Sequence, residues 1–407
     1  MKKLVFMLFL LFSMLVTATV VNAQTCPYNK GEHSTIDITT QSYKLFKSIE
    51  EKIPAENILI PSLSNSMALT MLYCGAVQKT QEEIADNLFY PNSLYSQDKK
   101  DVALGDLANT FSSLDQSQDR GLYLASGIFT MKAVNPEFSY AMNNCFKAKV
   151  YQTTVNSIVG DINDFISEHT NGKIDNVIQK SSAYDVNTSF LVSASYFKQK
   201  WITPFKKAEG FEFNLDETTA FSSESKSVHE VTGMTVDGRF RYQDFGNFHA
   251  VAIPYKENFT LIIFAPKQDF SYKNSVSEIA LKDINSFITN KELFKRKVII
   301  KMPKFKFEFT RNLNNDYRNV GMNSLFVPGN LDEITPQFRV VNVITKSMID
   351  VDEKGTVATG AVVVHGTKGV SFYEESLLVN INSPFLFAIY DELSKNILFI
   401  GKLVDPS

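Results

Sequence analysis

The chain has 407 residues, 44% hydrophobic and 21% charged, which supports a sizeable core and excludes a disordered polypeptide. Lys and Arg total 41 against 44 Asp and Glu, a net charge of −3, so the basic excess of a phosphate-driven nucleic-acid binder is missing. With 18 Gly and 13 Pro, collagen-like and Pro-rich low-complexity architectures are excluded too.

Met1-Lys2-Lys3 is a basic start, residues 4–21 are almost wholly apolar, and Val21-Asn22-Ala23 fits a small-residue cleavage site. This pattern predicts a signal peptide over 1–23 and a mature chain over 24–407. The rival, an uncleaved anchor of near-spanning length, is disfavoured by the cleavage pattern at the extreme N-terminus. Cleavage removes Lys2 and Lys3 and no acid, taking the net charge from −3 to −5. No second long apolar run follows. The mature protein is therefore expected to be secreted and extracellular, with no membrane contact after cleavage.

Helical periodicity runs over 36–53, and an apolar helix is expected over 64–74. Thr80-Gln81-Glu82-Glu83 reads as a capping box opening a short helix to about Phe89. Helical patterns return at 100–116, 136–147, 160–170 and 275–290. Strand-like runs occupy 122–131, 150–155, 190–197, 250–254, 259–264, 298–309, 340–351, 376–381, 385–390 and 397–404. Helices dominate the first half and strands the second, which predicts an α+β fold with mostly antiparallel sheets and no regular βαβ alternation. No linker or repeat marks a domain boundary.

Of the three cysteines, Cys74 sits in an apolar run and reads as a core residue. Export permits disulfides, so a Cys26–Cys145 bridge stays open, but three cysteines are no disulfide scaffold. Chemistry-bearing motifs are scarce. There is no G-x-S-x-G, P-loop, H-E-x-x-H or C-x-x-C, and the five histidines lack metal-ligand spacing, so no cofactor or metal is expected. A triad needs only spatial proximity, which leaves a secreted hydrolase as a formal alternative. Lys295-Arg296-Lys297, Lys301, Lys304 and Lys306 alternate with apolar residues, as the solvated face of a strand does.

One segment is unusual. After the charged turn Asp352-Glu353-Lys354, residues 355–364 carry no charge, no Pro and no large side chain. On a period of two, Thr356, Ala358, Gly360 and Val362 share one face, and Val357, Thr359, Ala361 and Val363 the other. All of the first set are small enough to slip beneath a covering layer. Residues 365–372 then read as an exposed loop.

These features resemble the serpins. Asp352-Glu353-Lys354-Gly355-Thr356-x-Ala358 is similar to the family's reactive-loop hinge, which continues through Thr359, Gly360 and Ala361. Asn382-Ser383-Pro384-Phe385-Leu386-Phe387 with Ile397-Leu398-Phe399-Ile400-Gly401 resembles its C-terminal signature. Leu191-Val192-x-x-x-Tyr196-Phe197-Lys198-x-x-Trp201 resembles the central strand whose Trp caps the insertion point, and Asn57-Ile58-Leu59-Ile60 also fits. The motifs run in order from about residue 33 to the end. The resemblance implies a single domain of three β-sheets and about nine helices, with an exposed reactive-centre loop at about 353–378. It also implies suicide inhibition of serine, or cysteine, endopeptidases: acyl-enzyme formation, then entry of the cleaved arm into the main sheet. Serpin loop insertion is itself a recognised instance of β-strand addition.

Resemblance places Ser64, Ser193 and Thr345 under the centre of that sheet and Trp201 at its breach. There the chain departs from the family: Pro61-Ser62 reverses a usual Ser-Pro, Ser193 replaces Asn, Thr345 replaces the His of many members, and Gln199 replaces Gly. These departures favour the alternative of a non-inhibitory binding, carrier or storage serpin. Glu353 and Pro384 are 31 positions apart, a few more than is usual, so the loop's two ends give different registers. Counting from Glu353 places the reactive bond at Lys368, Gly369 or Val370, and about fifteen residues at ~3.3 Å would span ~50 Å of sheet. Counting back from Pro384 favours Phe372 or Tyr373. Lys368 would select trypsin-like proteases and Val370 elastase-like ones. Asn258-Phe259-Thr260 and Asn187-Thr188-Ser189 are glycosylation sequons. Around 99–120 the family's heparin-binding basic stripe is missing, so heparin activation is not expected, and the mature chain is expected to be a monomer.

Overall fold

The computed structural model describes residues 38–88, 104–105, 108–109, 120–146, 148–224, 226–290, 295–356 and 375–407. The expected signal peptide over 1–23, most of the helical pattern at 100–116, Cys26, Ala358, Thr359, Gly360, Ala361, Lys368, Gly369, Val370, Phe372 and Tyr373 lie outside them. Among the described residues are seven α-helices, α1 (Ile38–Glu50), α2 (Ser62–Gly75), α3 (Gln78–Leu88), α4 (Pro136–Cys145), α5 (Ile158–His169), α6 (Leu281–Thr289) and α7 (Asn314–Asn319).

Two hydrogen-bonded sheets organise the core. The first joins β2 (Leu122–Thr130), β3 (Lys149–Gln152), β4 (Ser189–Phe197), β10 (Phe305–Asn312), β11 (Asn342–Asp352) and the two-residue β12 (Gly355–Thr356). Its order is β10-β11-β4-β2-β3, with β12 added on β11. The second, nine-stranded sheet holds β1 (Ile58–Ile60), β5 (Lys206–Asn214), β6 (Val228–Asp244), β7 (Phe248–Pro254), β8 (Phe259–Pro266), β9 (Lys295–Pro303), β13 (Leu377–Asn380), β14 (Phe385–Asp391) and β15 (Asn396–Leu403). The 17-residue β6 pairs with β5 and β9 along its first part and with β7 at its end. Two of the three sheets implied by the resemblance are thereby fused into one ladder.

Burial follows from this layering. β4 is buried along all nine residues because both faces of the six-stranded sheet are covered. On one face α5 packs Ile158, Ile162, Phe165 and Ile166 against Phe129, Phe190, Val192 and Met348. On the other, α2, buried at nearly every residue, belongs to the main core with Leu191, Phe197, Val343, Ile349 and Val351. β11 shows the alternation: Val343, Ile349 and Val351 face the main core, while Ile344 and Met348 face α5.

Two expectations need correction, and two strands had no counterpart in the pattern. The capping box does not form. α3 begins at Gln78, Thr80 is buried inside it, and Glu83 instead accepts hydrogen bonds from the Ser324 amide and hydroxyl, both at 2.8 Å. The run at 298–309 is two strands in different sheets, broken after Pro303. β5 and β6 escaped the pattern, since β5 exposes most of its first six residues and β6 changes its covered face along its length.

Candidate functional site

The distinctive geometry lies where β11 ends and the chain turns back as β12. Asp352 makes the turn, its carboxylate accepting from Lys354 N at 2.7 Å and Gly355 N at 3.1 Å. Gly355 has φ +141°, and a Cβ there would stand 2.2 Å from the Gln199 carbonyl oxygen, so the close approach requires glycine. β12 then pairs antiparallel with β11, Val351 opposite Thr356 and Asp352 opposite Gly355, while Lys200 bridges Gly355 from the other side.

The segment beyond β4 clamps this turn. Trp201 N donates to Lys354 O at 3.1 Å, Phe205 N to Glu353 O at 2.8 Å, and the Trp201 indole N–H to Asp352 O at 2.8 Å. Tyr255 stacks on Trp201 with ring centroids 3.9 Å apart and shares a 3.0 Å hydroxyl bond with Thr356, whose own N–H donates to Gln199 O at 2.6 Å. Thr356, Tyr255 and Trp201 are all buried. Burial pushes the Tyr255 phenol far above its ordinary value, so its hydroxyl stays neutral. Burial alone would raise the Glu353 carboxyl, but a backbone hydrogen bond and Lys304, 3.0 Å away, hold it below the usual range.

A polar cluster lies midway down the same sheet. β4 and β11 pair in parallel, Phe190–Tyr196 against Asn342–Met348, with Ser193 directly opposite Thr345. Ser193 Oγ donates to Asn65 Oδ1 at 2.5 Å and lies 3.1 Å from Thr345 Oγ1, which is 3.4 Å from the same Asn65 oxygen. Beside them Ser195 donates to Ser64 Oγ at 2.8 Å, Ser126 to Ser64 O at 2.9 Å, and Ser347 to Leu59 O at 2.7 Å. Asn65 is buried and its Nδ2 has no acceptor among the described residues.

Trp201 therefore stands with Glu353, Gly355 and Thr356, and Ser64, Ser193 and Thr345 gather as one cluster. Asn65 and Tyr255 were missed by the sequence analysis. Asn65 lies in the Ser-rich start of α2 between Ser64 and Ser66, and Tyr255 directly follows β7, so neither stands out in the local pattern. Asn258 is exposed at φ +62° in the β7–β8 turn. Asn187 is also exposed, with Ser189 of its sequon buried and bonded to Arg339 O at 2.6 Å. Lys304 and Lys306 pair with Glu353 and Asp350, and Lys295, Arg296 and Lys301 of β9 are exposed. Cys74 is half-buried against the core and not in a disulfide, whereas Cys145 is disulfide-bonded. No group of three His, Cys, Asp or Glu side chains among the described residues could hold a metal ion.

An α+β domain whose main sheet has two parallel central strands and a docked arm end is a narrow class. A family model described as Serpin (serine protease inhibitor) matches residues 37–406, and the chain belongs to that family. It is 28% identical over 378 residues to human Serpin A12, covering 89% of this chain and 86% of the relative. It is 25% identical over 359 residues to a serine protease inhibitor of Cyanea capillata, covering 86% and 93%. The structure of thyroxine-binding globulin with thyroxine superposes with a TM-score of 0.76 at 22% identity, covering 91% and 98%, a likeness of fold.

Proposed function

We propose that the chain is secreted after loss of residues 1–23 and acts as a monomeric suicide inhibitor of serine endopeptidases, adding its own cleaved arm to the six-stranded sheet. The observation that carries this is β12, two residues already seated between β11 and the continuation of β4. Continued in the same register, Ala358 would meet Ile349 and Phe197, Gly360 would meet Ser347 and Ser195, and Val362 would meet Thr345 and Ser193. The core-facing positions are then Thr356, Ala358, Gly360 and Val362, which are small and uncharged. An entering strand would exchange one parallel ladder for two antiparallel ones, and no buried charge opposes it. Attack by a protease serine on the bond after Lys368, Gly369 or Val370 would leave an acyl ester on the freed arm, and entry of the arm would drag the protease along. Lys368 suits trypsin-like targets and Val370 elastase-like ones, and the exposed Asn258 and Asn187 are the glycosylation positions.

A second proposal, a binding or carrier serpin, has one observation in its favour. A cavity of about 500 Å³ has a mixed lining, with Leu215, Tyr272 and Val404 beside Glu50, Glu217 and Lys402. The test is to mix the mature protein with trypsin, elastase or chymotrypsin and follow denaturing gels and the mass of the released peptide. A denaturant-resistant covalent complex is expected, and the peptide's first residue fixes the reactive bond. Clean cleavage near 365–373 with no complex for any protease would sink the inhibitor proposal and favour the carrier. Turnover of the protease's own substrates by this chain alone would point to the hydrolase instead.

A further inference from the structure

We infer that Gln199 is a positioning residue for strand addition, holding the docked end of the hinge through its side-chain bond to Arg120. This rests on the inhibitor proposal above. Gln199 lies just past β4, where its main-chain carbonyl accepts the Thr356 N–H at 2.6 Å. That carbonyl aims at the hinge only while the peptide plane between residues 199 and 200 keeps its orientation. The half-buried side chain fixes the plane from both ends: Oε1 accepts from Lys200 N at 2.7 Å, and Nε2 donates to Arg120 O at 2.9 Å.

Arg120 is a firm anchor. Its Nη2 donates to Asp391 Oδ1 at 2.7 Å and to Glu257 O at 2.8 Å, and its guanidinium lies 4.3 Å over the Phe259 ring. Asp391 is fully buried and also accepts from the amides of Leu393 at 3.3 Å and Ser394 at 3.2 Å. The backbones of the two segments touch as well: Lys198 N donates to Gly121 O at 2.7 Å, and a Cβ on Gly121 would fall 1.8 Å from Lys198 O. Contacts thus run unbroken from the β14–β15 turn through Arg120 and Gln199 to Thr356. A glycine at 199 would leave the hinge's main acceptor without this brace.

The consequence is kinetic. Once the arm is cut, its entry competes with hydrolysis of the acyl-enzyme, and a pair of residues already docked spares the cost of starting a new strand. Loosening that pair slows entry and sends more of the protein to cleaved, unreacted product. A single net hydrogen bond corresponds to about a two- to tenfold change in that partition.

Trp201 is the chain's single tryptophan, and its indole N–H bonds Asp352 O, so its emission reports directly on the docked hinge. The experiment compares the full mature chain with Gln199→Met and Gln199→Glu. Met removes both polar contacts at similar length. Glu keeps an acceptor for Lys200 N but has no N–H for Arg120 O. Both variants are expected to unfold within a few degrees of the parent, to expose Trp201 to acrylamide more readily, and to shift the ratio of cleaved product to covalent complex about two- to tenfold. Parental quenching and partition in either variant overturns the inference. So does a lowered unfolding midpoint with unchanged quenching, which would leave Gln199 a purely structural residue. If the parent forms no complex with any protease, the inhibitor proposal fails, while quenching still decides whether Gln199 holds the hinge.

Discussion

Replacing Gly355 by alanine should release the docked strand while leaving the rest of the fold intact. The added methyl would lie 2.2 Å from Gln199 O and 2.6 Å from the Lys200 Cα, both main-chain atoms near the end of β4. Neither can yield as a flexible side chain would, so one backbone must move by about 1 Å in a close-packed region. A φ of +141° adds about 1–3 kcal/mol of backbone strain for a residue with a Cβ. Against this stand the Thr356 N–H bond to Gln199 and the Thr356–Tyr255 hydroxyl bond, each contributing about 1 kcal/mol. Strain and overlap together exceed those gains, so undocking is the cheaper response. Undocking also caps the loss of stability at about 2–3 kcal/mol, a few degrees in the midpoint for a domain of this size. Acrylamide quenching of Trp201, thermal unfolding and the ratio of covalent complex to cleaved product should be measured on Gly355→Ala beside the parent. Increased quenching, a small drop in midpoint and less complex are expected. Unchanged quenching would refute the account of a tight docked turn, and a collapse in stability would show that Gly355 supports the sheet as a whole.

Tyr255→Phe should cost about 1–3 kcal/mol in chemical denaturation, because the buried Thr356 hydroxyl loses its partner. Adding Thr356→Val should recover most of the loss, and strict additivity of the two changes would disprove the coupling. His249 is buried with Nε2 unpartnered, and burial, aided by Lys267 and opposed by Asp244, lowers its pKa to about 4. Between pH 6.5 and about 4 the unfolded chain therefore takes up a proton that the folded chain refuses. Stability falls across that window by about 3 kcal/mol as pH drops, and is free of this penalty above it. His249→Phe should flatten that limb of a pH series of denaturant midpoints, and two superimposable limbs would rule the mechanism out.

Much of this architecture was legible because it depends on local pattern. α2 is apolar through its second half, from Met67 to Cys74, and the fold buries it at nearly every residue. The absence of charge and bulk from the hinge was readable from the residues alone, and Gly355 and Thr356 are both buried. Most of what failed depends on partners remote in sequence. Thr80 and Glu83 have the spacing of a capping box, yet Glu83 is claimed by Ser324, 241 residues away. One failure was local: the apolar alternation changes phase at Pro303, from Val298, Ile300 and Met302 to Phe305, Phe307 and Phe309, which marks the break between β9 and β10. Tyr255 meets Thr356 across 101 positions, and only the register of four strands brings them together. Trp201, Ser64, Ser193 and Thr345 were found because the resemblance supplied long-range information that composition cannot.

The departures beneath the main sheet were the strongest sequence argument against inhibition, and the structure changes their weight. Asn65 reaches from α2 to the seam between β4 and β11, where both Ser193 and Thr345 find its oxygen. The polar network is therefore relocated onto the helix, with the amide supplied from below instead of from the strand. Its Nδ2, however, has no acceptor while the strands are closed. A buried amide nitrogen without a partner is costly, by about 1–3 kcal/mol. A strand entering at this seam would push the two hydroxyls apart by about one strand spacing, ~4.8 Å, to opposite sides of Asn65. One could then donate to Oδ1 while the other accepts from Nδ2. At this level the closed sheet keeps a buried amide nitrogen without an acceptor beside its parallel ladder, and the open one would satisfy that nitrogen while exchanging the ladder for two antiparallel ones. On the inhibitor proposal, Pro61-Ser62, Ser193 and Thr345 alter which residue latches the sheet, and they leave intact the free-energy slope that drives it to accept the arm.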